Sequence, residues 1–220
     1  MHILLTRPIE DCEELIIKFK SLGHNISHLP VIKIQSKKYQ EEDFNEYKGI
    51  IFTSSNAIKN LEIKKINKNI YCYCVGLATE KTAKLNGFQN IYTAEGNVNN
   101  LKEIILQTFN TNNGRLLYVS GEIVSSNLDK ELIFEGYSIK RLINYSVLPI
   151  EDLDLRFVDI LKSSMPEIVF IYSQNSAKNF LNLIKKYQLF DFWMNTNLMC
   201  IGEKTSSVLN EIKWKKIFLF

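Results

Sequence analysis

The chain lacks any stretch of about 18 uncharged apolar residues, the usual minimum for a helical membrane span, so no membrane partner is expected. Its opening, Met1 to Pro8, is a short strand-like run without the long apolar core or small-residue cleavage site of a secretion signal. The expectation is a soluble, cytoplasmic protein. Histidine is limited to His2, His24 and His28, and none is paired with a Cys or Asp as a nucleophile's base would be, which argues against a histidine-based triad. Of the four cysteines, Cys72 and Cys74 alternate with Tyr71 and Tyr73 as on a buried strand. Zinc sites want a wider spacing and a second ligand pair, so no metal is expected. Neither a G-x-G-x-x-G fingerprint nor a Walker A loop follows any apolar run, which removes the common nucleotide cradles. The net charge of +3 is too small to signal a nucleic-acid partner, although it suits an acidic ligand. Glu13-Glu14, Glu41-Glu42-Asp43 and Glu151-Asp152 are expected on solvated helix faces or loops, and no paired-carboxylate centre is indicated.

What is present is a regular alternation, in a chain whose 45% hydrophobic residues can bury a sizeable core. Short apolar runs bounded by turn residues predict strands at Ile3 to Thr6, Ile26 to Ile34, Gly49 to Thr53, Ile70 to Val75 and Ile91 to Tyr92. The same signal recurs at Leu116 to Val119, Ile139 to Ile143, Ile168 to Tyr172, Leu198 to Ile201 and Ile217 to Leu219. Between most of them the apolar residues take helical spacing, as in Cys12, Leu15, Ile16 and Phe19. Strand and helix in alternation predict α/β architecture, with parallel sheets covered on both faces.

The chain also repeats itself. Leu15 to Ile26, with Gly23, matches Leu128 to Ile139, with Gly136. Phe52-Thr53-Ser54-Ser55-Asn56 matches Ile171-Tyr172-Ser173-Gln174-Asn175, and Val75-Gly76 with Thr79 matches Ile201-Gly202 with Thr205. Any two βα units look somewhat alike, but three matches favour a duplicated domain. Their order is informative: the first unit precedes the Thr53 and Gly76 units, whereas its copy follows them. This is the order that a middle domain inserted into a split outer domain produces. The outer domain is assigned to residues 1–32 and 150–220 and the inserted one to 38–144, with linker strands at 29–37 and 144–150. Each linker carries a proline, Pro30 or Pro149, as edge and connecting strands tolerate.

In open parallel sheets ligands bind beyond the carboxyl ends of the strands, where helix N-termini also point. Those positions hold Thr6 and Arg7, Thr53 to Asn56, Gly76 to Thr79, Ser120 and Gly121, Ser173 to Ser176, and Gly202 to Ser206. Small hydroxylic residues leave backbone N–H groups accessible and add neutral donors, a set suited to carboxylates or phosphates. Each also reads as a plain helix cap. Repetition at the strand ends of both halves favours a site for an anionic ligand.

Taken in order, Leu4-Leu5-Thr6-Arg7-Pro8, Phe52-Thr53-Ser54-Ser55-Asn56-Ala57, Val75-Gly76 with Thr79, Gly96-Asn97 before a helix, and Ile201-Gly202 with Thr205 resemble the uroporphyrinogen-III synthases. The likeness spans nearly the whole chain, and order and spacing carry it more than any single motif. It implies two flavodoxin-like domains on a two-strand linker, a cleft for the linear tetrapyrrole hydroxymethylbilane, and no cofactor; a monomer is expected. The implied activity is that of a hydro-lyase, which closes the substrate with loss of water and inversion of the last ring through a spiro intermediate. The implied contacts are Thr6, Arg7, Thr53, Ser54, Ser55, Asn56, Gly76, Thr79, Gly96, Asn97, Ser120, Gly121, Ser173, Gln174, Asn175, Thr205 and Ser206. Tyr145, in the second linker strand where the family carries a tyrosine facing the cleft, is the implied acid for the departing hydroxyl. Its alternative is a packing role. The sequence departs from common family versions at Ser55-Asn56, where a Pro and a basic residue are frequent, and at Glu203-Lys204, where a Pro and a Thr are frequent. Two rival classes share parts of the pattern, namely a two-domain binding protein for a small anion and a flavodoxin-like electron carrier.

Overall fold

A computed structural model describes residues 1–220. The strands, in chain order, are β1 (His2–Leu5), β2 (Asn25–His28), β3 (Ile32–Ser36), β4 (Tyr47–Phe52), β5 (Tyr71–Val75), β6 (Asn90–Ala94), β7 (Arg115–Gly121), β8 (Ile139–Pro149), β9 (Ile168–Ile171), β10 (Asn197–Cys200) and β11 (Lys216–Leu219). The helices are α1 (Glu13–Ser21), α2 (Ser55–Lys59), α3 (Leu77–Leu85), α4 (Val98–Thr108), α5 (Leu128–Phe134), α6 (Leu155–Ser163), α7 (Gln174–Lys186) and α8 (Glu203–Ser207). No helix is long and apolar enough to cross a membrane.

The chain divides into two compact units, Met1–Lys33 with Leu148–Phe220, and Ile34–Val147. The first holds a sheet of order β11-β10-β9-β1-β2, and the second a sheet of order β3-β8-β7-β4-β5-β6. Without β3, the second order read backwards is β6-β5-β4-β7-β8, which corresponds strand for strand to β11-β10-β9-β1-β2. The duplication expected from the repeats is therefore visible in the sheet order, and it follows the flavodoxin-like pattern. The pairings from β2 to β11 and from β8 to β6 are parallel.

Equivalent glycines carry the same backbone. Gly23 (φ 78°) and Gly136 (φ 88°) follow α1 and α5 in the left-handed region. In both cases the next residue returns its N–H five residues back, His24 to Phe19 and Tyr137 to Leu132, closing the helix end in a Schellman motif. Gly76 and Gly202 precede α3 and α8 with φ 77°, ψ 153° and φ 71°, ψ 165°, a region open essentially to glycine alone.

Burial explains the continuous apolar strands. In the second unit Ile50, Phe52, Cys72, Cys74, Leu117 and Val119 pack on one face of the sheet, and Ile51, Tyr73, Leu116 and Tyr118 on the other. Parallel strands covered on both faces need apolar side chains in both directions. Cys72 and Cys74 are buried in β5 with their Sγ atoms 3.9 Å apart.

Three expectations are corrected. The run Ile26 to Ile34 is two strands, because Pro30 has no N–H to give to a ladder and the chain there leaves β1 for β8. Ile139 to Ile143 and the strand expected after it are one continuous β8. Glu42 is not a solvated acid: its side chain is 7% exposed, ion-paired to Lys140 at 2.6 Å and hydrogen-bonded by the Tyr47 hydroxyl.

Both apolar clusters of the second unit are drawn from residues within 34–147. A fragment of residues 34–147 is therefore expected to fold alone and unfold cooperatively in urea, as a unit with its own core does. A broad, non-cooperative transition would show that this core needs the rest of the chain.

Candidate functional site

The second unit contains a cavity of about 310 Å³ lined by Thr53, Ser54, Val75, Gly96, Asn97, Val98, Tyr118, Gly121, Ile123, Val124, Ser125 and Tyr145. It lies at the carboxyl ends of β4, β5, β6 and β7, where the topology of a parallel sheet places ligands. No lining side chain is formally charged. Its donors are hydroxyls, an amide and backbone N–H groups, and the N-terminus of the 11-residue α4 adds its positive dipole end.

Local geometry fixes these groups. Ser54 caps α2 by accepting the Asn56 N–H at 3.2 Å, and Asn97 caps α4 by accepting the N–H groups of Asn99 and Asn100 at 2.8 and 3.2 Å. The Thr53 hydroxyl lies 3.2 Å from that of Tyr118. The Tyr145 ring lies against Gly121 and lines the same cavity as Ser54. Arg141 clamps the end of β7, with Nε donating to Ser120 Oγ at 2.8 Å and Nη2 to the carbonyls of Gly121 and Glu122 at 2.8 and 3.0 Å. Burial pushes the Tyr145 phenol above its ordinary pKa, and the polar groups of Ser54 and Gly121 beside it pull it back only in part. Burial raises Tyr118 in the same way, against the Thr53 hydrogen bond. Both are therefore proton donors rather than phenolates at neutral pH.

Six of the expected residues, Thr53, Ser54, Gly96, Asn97, Gly121 and Tyr145, meet at this cavity. Ser55 and Asn56 lie in the first turn of α2, Gly76 caps α3, and Thr79 is buried within α3; none of the four lines the cavity. Ser120 is buried, and its hydroxyl is spent between Arg141 and the Gly121 carbonyl. The other expected residues lie in the first unit, after β1, β9 and β10. There the Thr6 hydroxyl is fully buried and donates to the Phe170 carbonyl at 2.6 Å. Arg7 stacks over Tyr172, 5.0 Å from the ring centroid, and pairs with Asp11 at 3.3 Å. Ser173 caps α7 by accepting the Ser176 N–H at 3.0 Å, with Gln174 and Asn175 beside it in the first turn. Thr205 is buried, and the Ser206 hydroxyl donates to the Glu203 carbonyl at 3.0 Å. Sequence reasoning missed Val75, Val98, Tyr118, Ile123, Val124 and Ser125 as lining residues. Tyr118 sits inside an apolar strand with no motif around it, and the only sequence feature pointing to the loop after β7 is its serines, Ser125 and Ser126.

The fold and this cavity define a duplicated α/β protein, with one unit spliced into the other, that offers uncharged donors at its strand ends. The chain belongs to the uroporphyrinogen-III synthase family: the family model described as uroporphyrinogen-III synthase HemD matches residues 13–218. That family consists of hydro-lyases of haem biosynthesis that close hydroxymethylbilane to uroporphyrinogen III with inversion of ring D. Among solved structures, the uroporphyrinogen-III synthetase of Helicobacter pylori is similar at 20% identity and a TM-score of 0.61, over 98% of this chain and 91% of that one. A mutant uroporphyrinogen III synthase from the extremely thermophilic bacterium Thermus thermophilus is similar at 14% identity and a TM-score of 0.55, over 99% and 92% of the two chains. These two likenesses speak to the fold. A search of curated proteins by sequence gave no match.

A Cβ placed on Gly121 would sit 2.8 Å from Cε2 and Cζ of Tyr145 and 3.1 Å from its hydroxyl oxygen. Gly121→Ala is expected to push the ring out of place and to cost about 1–3 kcal/mol, the usual range for overpacking. Urea unfolding of the full chain measures this, and an unchanged midpoint would mean that the ring yields freely.

Proposed function

We propose that this chain carries out the family reaction with Tyr145 as the acid for the departing hydroxyl, and that Thr53, Ser54, Gly96, Asn97 and Gly121 help to hold the substrate. The observation that carries the reading is a buried, protonated phenol at the wall of an uncharged, donor-lined cavity in a chain of this family. In this scheme the phenol passes its proton to the hydroxymethyl oxygen, the C–O bond breaks and water leaves, so that the substrate becomes an azafulvene cation. The terminal pyrrole then attacks through its substituted α-carbon, forming the C–C bond of the spiro intermediate. Fragmentation and reclosure invert that ring, and the proton lost as the pyrrole regains aromaticity restores the tyrosine. Because the open substrate also closes unaided without inversion, the main work of the protein is to hold one conformation. A neutral hydrogen bond contributes roughly 0.5–1.5 kcal/mol, so binding is spread over many donors rather than one. A cytoplasmic location belongs to the same reading, supported by four cysteines that are buried and free of disulfides.

Incubation with freshly generated hydroxymethylbilane, followed by chromatographic separation of the isomers, tests the activity. An excess of the type III product is expected; only the type I product of unaided closure would refute it. Tyr145→Phe keeps the ring and its packing and removes the proton. It is expected to lower kcat about a hundredfold or more, within the range for loss of a general acid, while thermal stability stays nearly unchanged. The acid form of Tyr145 is complete at neutral pH and is lost only as the pH rises above its elevated pKa, beyond about 10, so no fall in kcat below about pH 9 is assigned to it. Turnover of the Phe variant within about threefold of the parent, less than one hydrogen bond's worth, would leave Tyr145 a packing residue.

A further inference from the structure

Side chains on a regular strand alternate between faces, so residues three apart point in opposite directions. Leu142 and Tyr145 break this rule: both are buried, at 5% and 8% exposure, and both pack in the same apolar cluster. The register of β8 against β7 explains why. Ser120 faces Ile143, but Gly121 faces Tyr145, so Asn144 is an extra residue without a counterpart on β7. Bulges of this kind re-aim the side chains that follow them. Were β8 regular through Asn144, that residue would face Gly121 and Tyr145 would fall on the face taken by the exposed Ile143, away from the cavity.

Asn144 is itself fully buried, and its contacts hold the bulge. Its Nδ2 donates to the Ala57 carbonyl at 2.7 Å, and its own carbonyl accepts the Lys37 N–H at 2.8 Å. The end of α2 makes the first bond available. The Asn60 N–H returns to Asn56 and the Leu61 N–H to Ile58, so the ladder passes over the Ala57 carbonyl. The helix tied down in this way is the one capped by Ser54, which lines the cavity together with Tyr145. The second polar atom of the side chain, Oδ1, is buried without a partner. An apolar side chain here would remove the unmet Oδ1 but leave the Ala57 carbonyl without its donor, so the asparagine is kept for the tie to α2 and not for filling space.

We propose that Asn144 is a positioning residue for Tyr145, holding the bulge of β8 against α2 so that the phenol faces the cavity. Its catalytic consequence rests on the assignment of Tyr145 as the acid, whereas its geometric content does not.

The test is a double-variant cycle on the full chain with hydroxymethylbilane as substrate. It is read beside the ζ-carbon signals of 13C-tyrosine-labelled protein, with Tyr145 assigned by its loss in Tyr145→Phe. Asn144→Ala is expected to lower kcat about tenfold to a hundredfold, as a misplaced catalytic group does, with KM changed by less than about threefold. It should shift the Tyr145 signal, and in a Tyr145→Phe background it should cost less than about twofold more, since coupled residues are not additive. Asn144→Ser, which keeps a small polar side chain, takes its place if the Ala variant does not fold. An unmoved Tyr145 signal in a folded Asn144 variant, or equal losses in both backgrounds when Tyr145→Phe itself lowers kcat, would overturn the proposal. A shifted signal together with a Tyr145→Phe protein as active as the parent would uphold the positioning and overturn the acid assignment instead.

Discussion

The pairing of β3 with β8 is the constraint on which the rest of the structure depends. The chain passes between its two units twice, and both passages fall within these adjacent strands. A domain spliced into another must leave and return at neighbouring points, and a hydrogen-bonded strand pair supplies those points. The pairing also gives β8 a second duty. Its first half completes the parallel sheet beside β7, and its later residues carry the chain back to the first unit. One strand under both demands is where an extra residue can be accommodated, and the register breaks at Asn144, between the two halves.

The fold was legible because parallel α/β architecture leaves strong local marks. Ile50-Ile51-Phe52 is apolar in both directions because both faces of β4 are covered, and such a run is hard to mistake. Gly23 with Gly136, and Gly76 with Gly202, stand out because their backbone conformations exclude other residues, so a duplicated chain must keep them even after most side chains have diverged. The break at Pro30 and the continuity of β8 were not legible, since apolar patterning reports burial and not which sheet a strand joins.

The candidate site was legible at its backbone and much less so at its side chains. Thr53, Ser54, Gly96 and Asn97 sit at strand ends, where position alone implies access to a ligand. Thr6 and Ser120 occupy equivalent places, yet their hydroxyls are consumed by the Phe170 carbonyl and by Arg141 with Gly121. A hydroxyl at a strand end can turn inward to the fold or outward to a ligand, and spacing does not say which. Tyr118 escaped notice for the converse reason: it reads as one more apolar strand residue, and its hydroxyl matters only because the three-dimensional fold brings Thr53 to it.

An uncharged cavity is a sensible answer to a substrate rich in carboxylates. Cations buried around each acid would bind tightly, but they would hold substrate and product alike, and uniform binding does nothing for the chemical step. On the proposed reading, neutral donors and the α4 N-terminus would bind carboxylates weakly, without the high cost of burying an unpaired charge. The differential interaction would then be concentrated at the leaving hydroxyl. On the proposed reading, the phenol of Tyr145 is suited to giving up its proton there, because the charge that would develop on its oxygen is transient and no permanent ion would have to be stabilised in the cavity. Holding that phenol in place falls to a strand whose register is broken one residue earlier, so the accuracy of the site is set by the strand that also joins the two units.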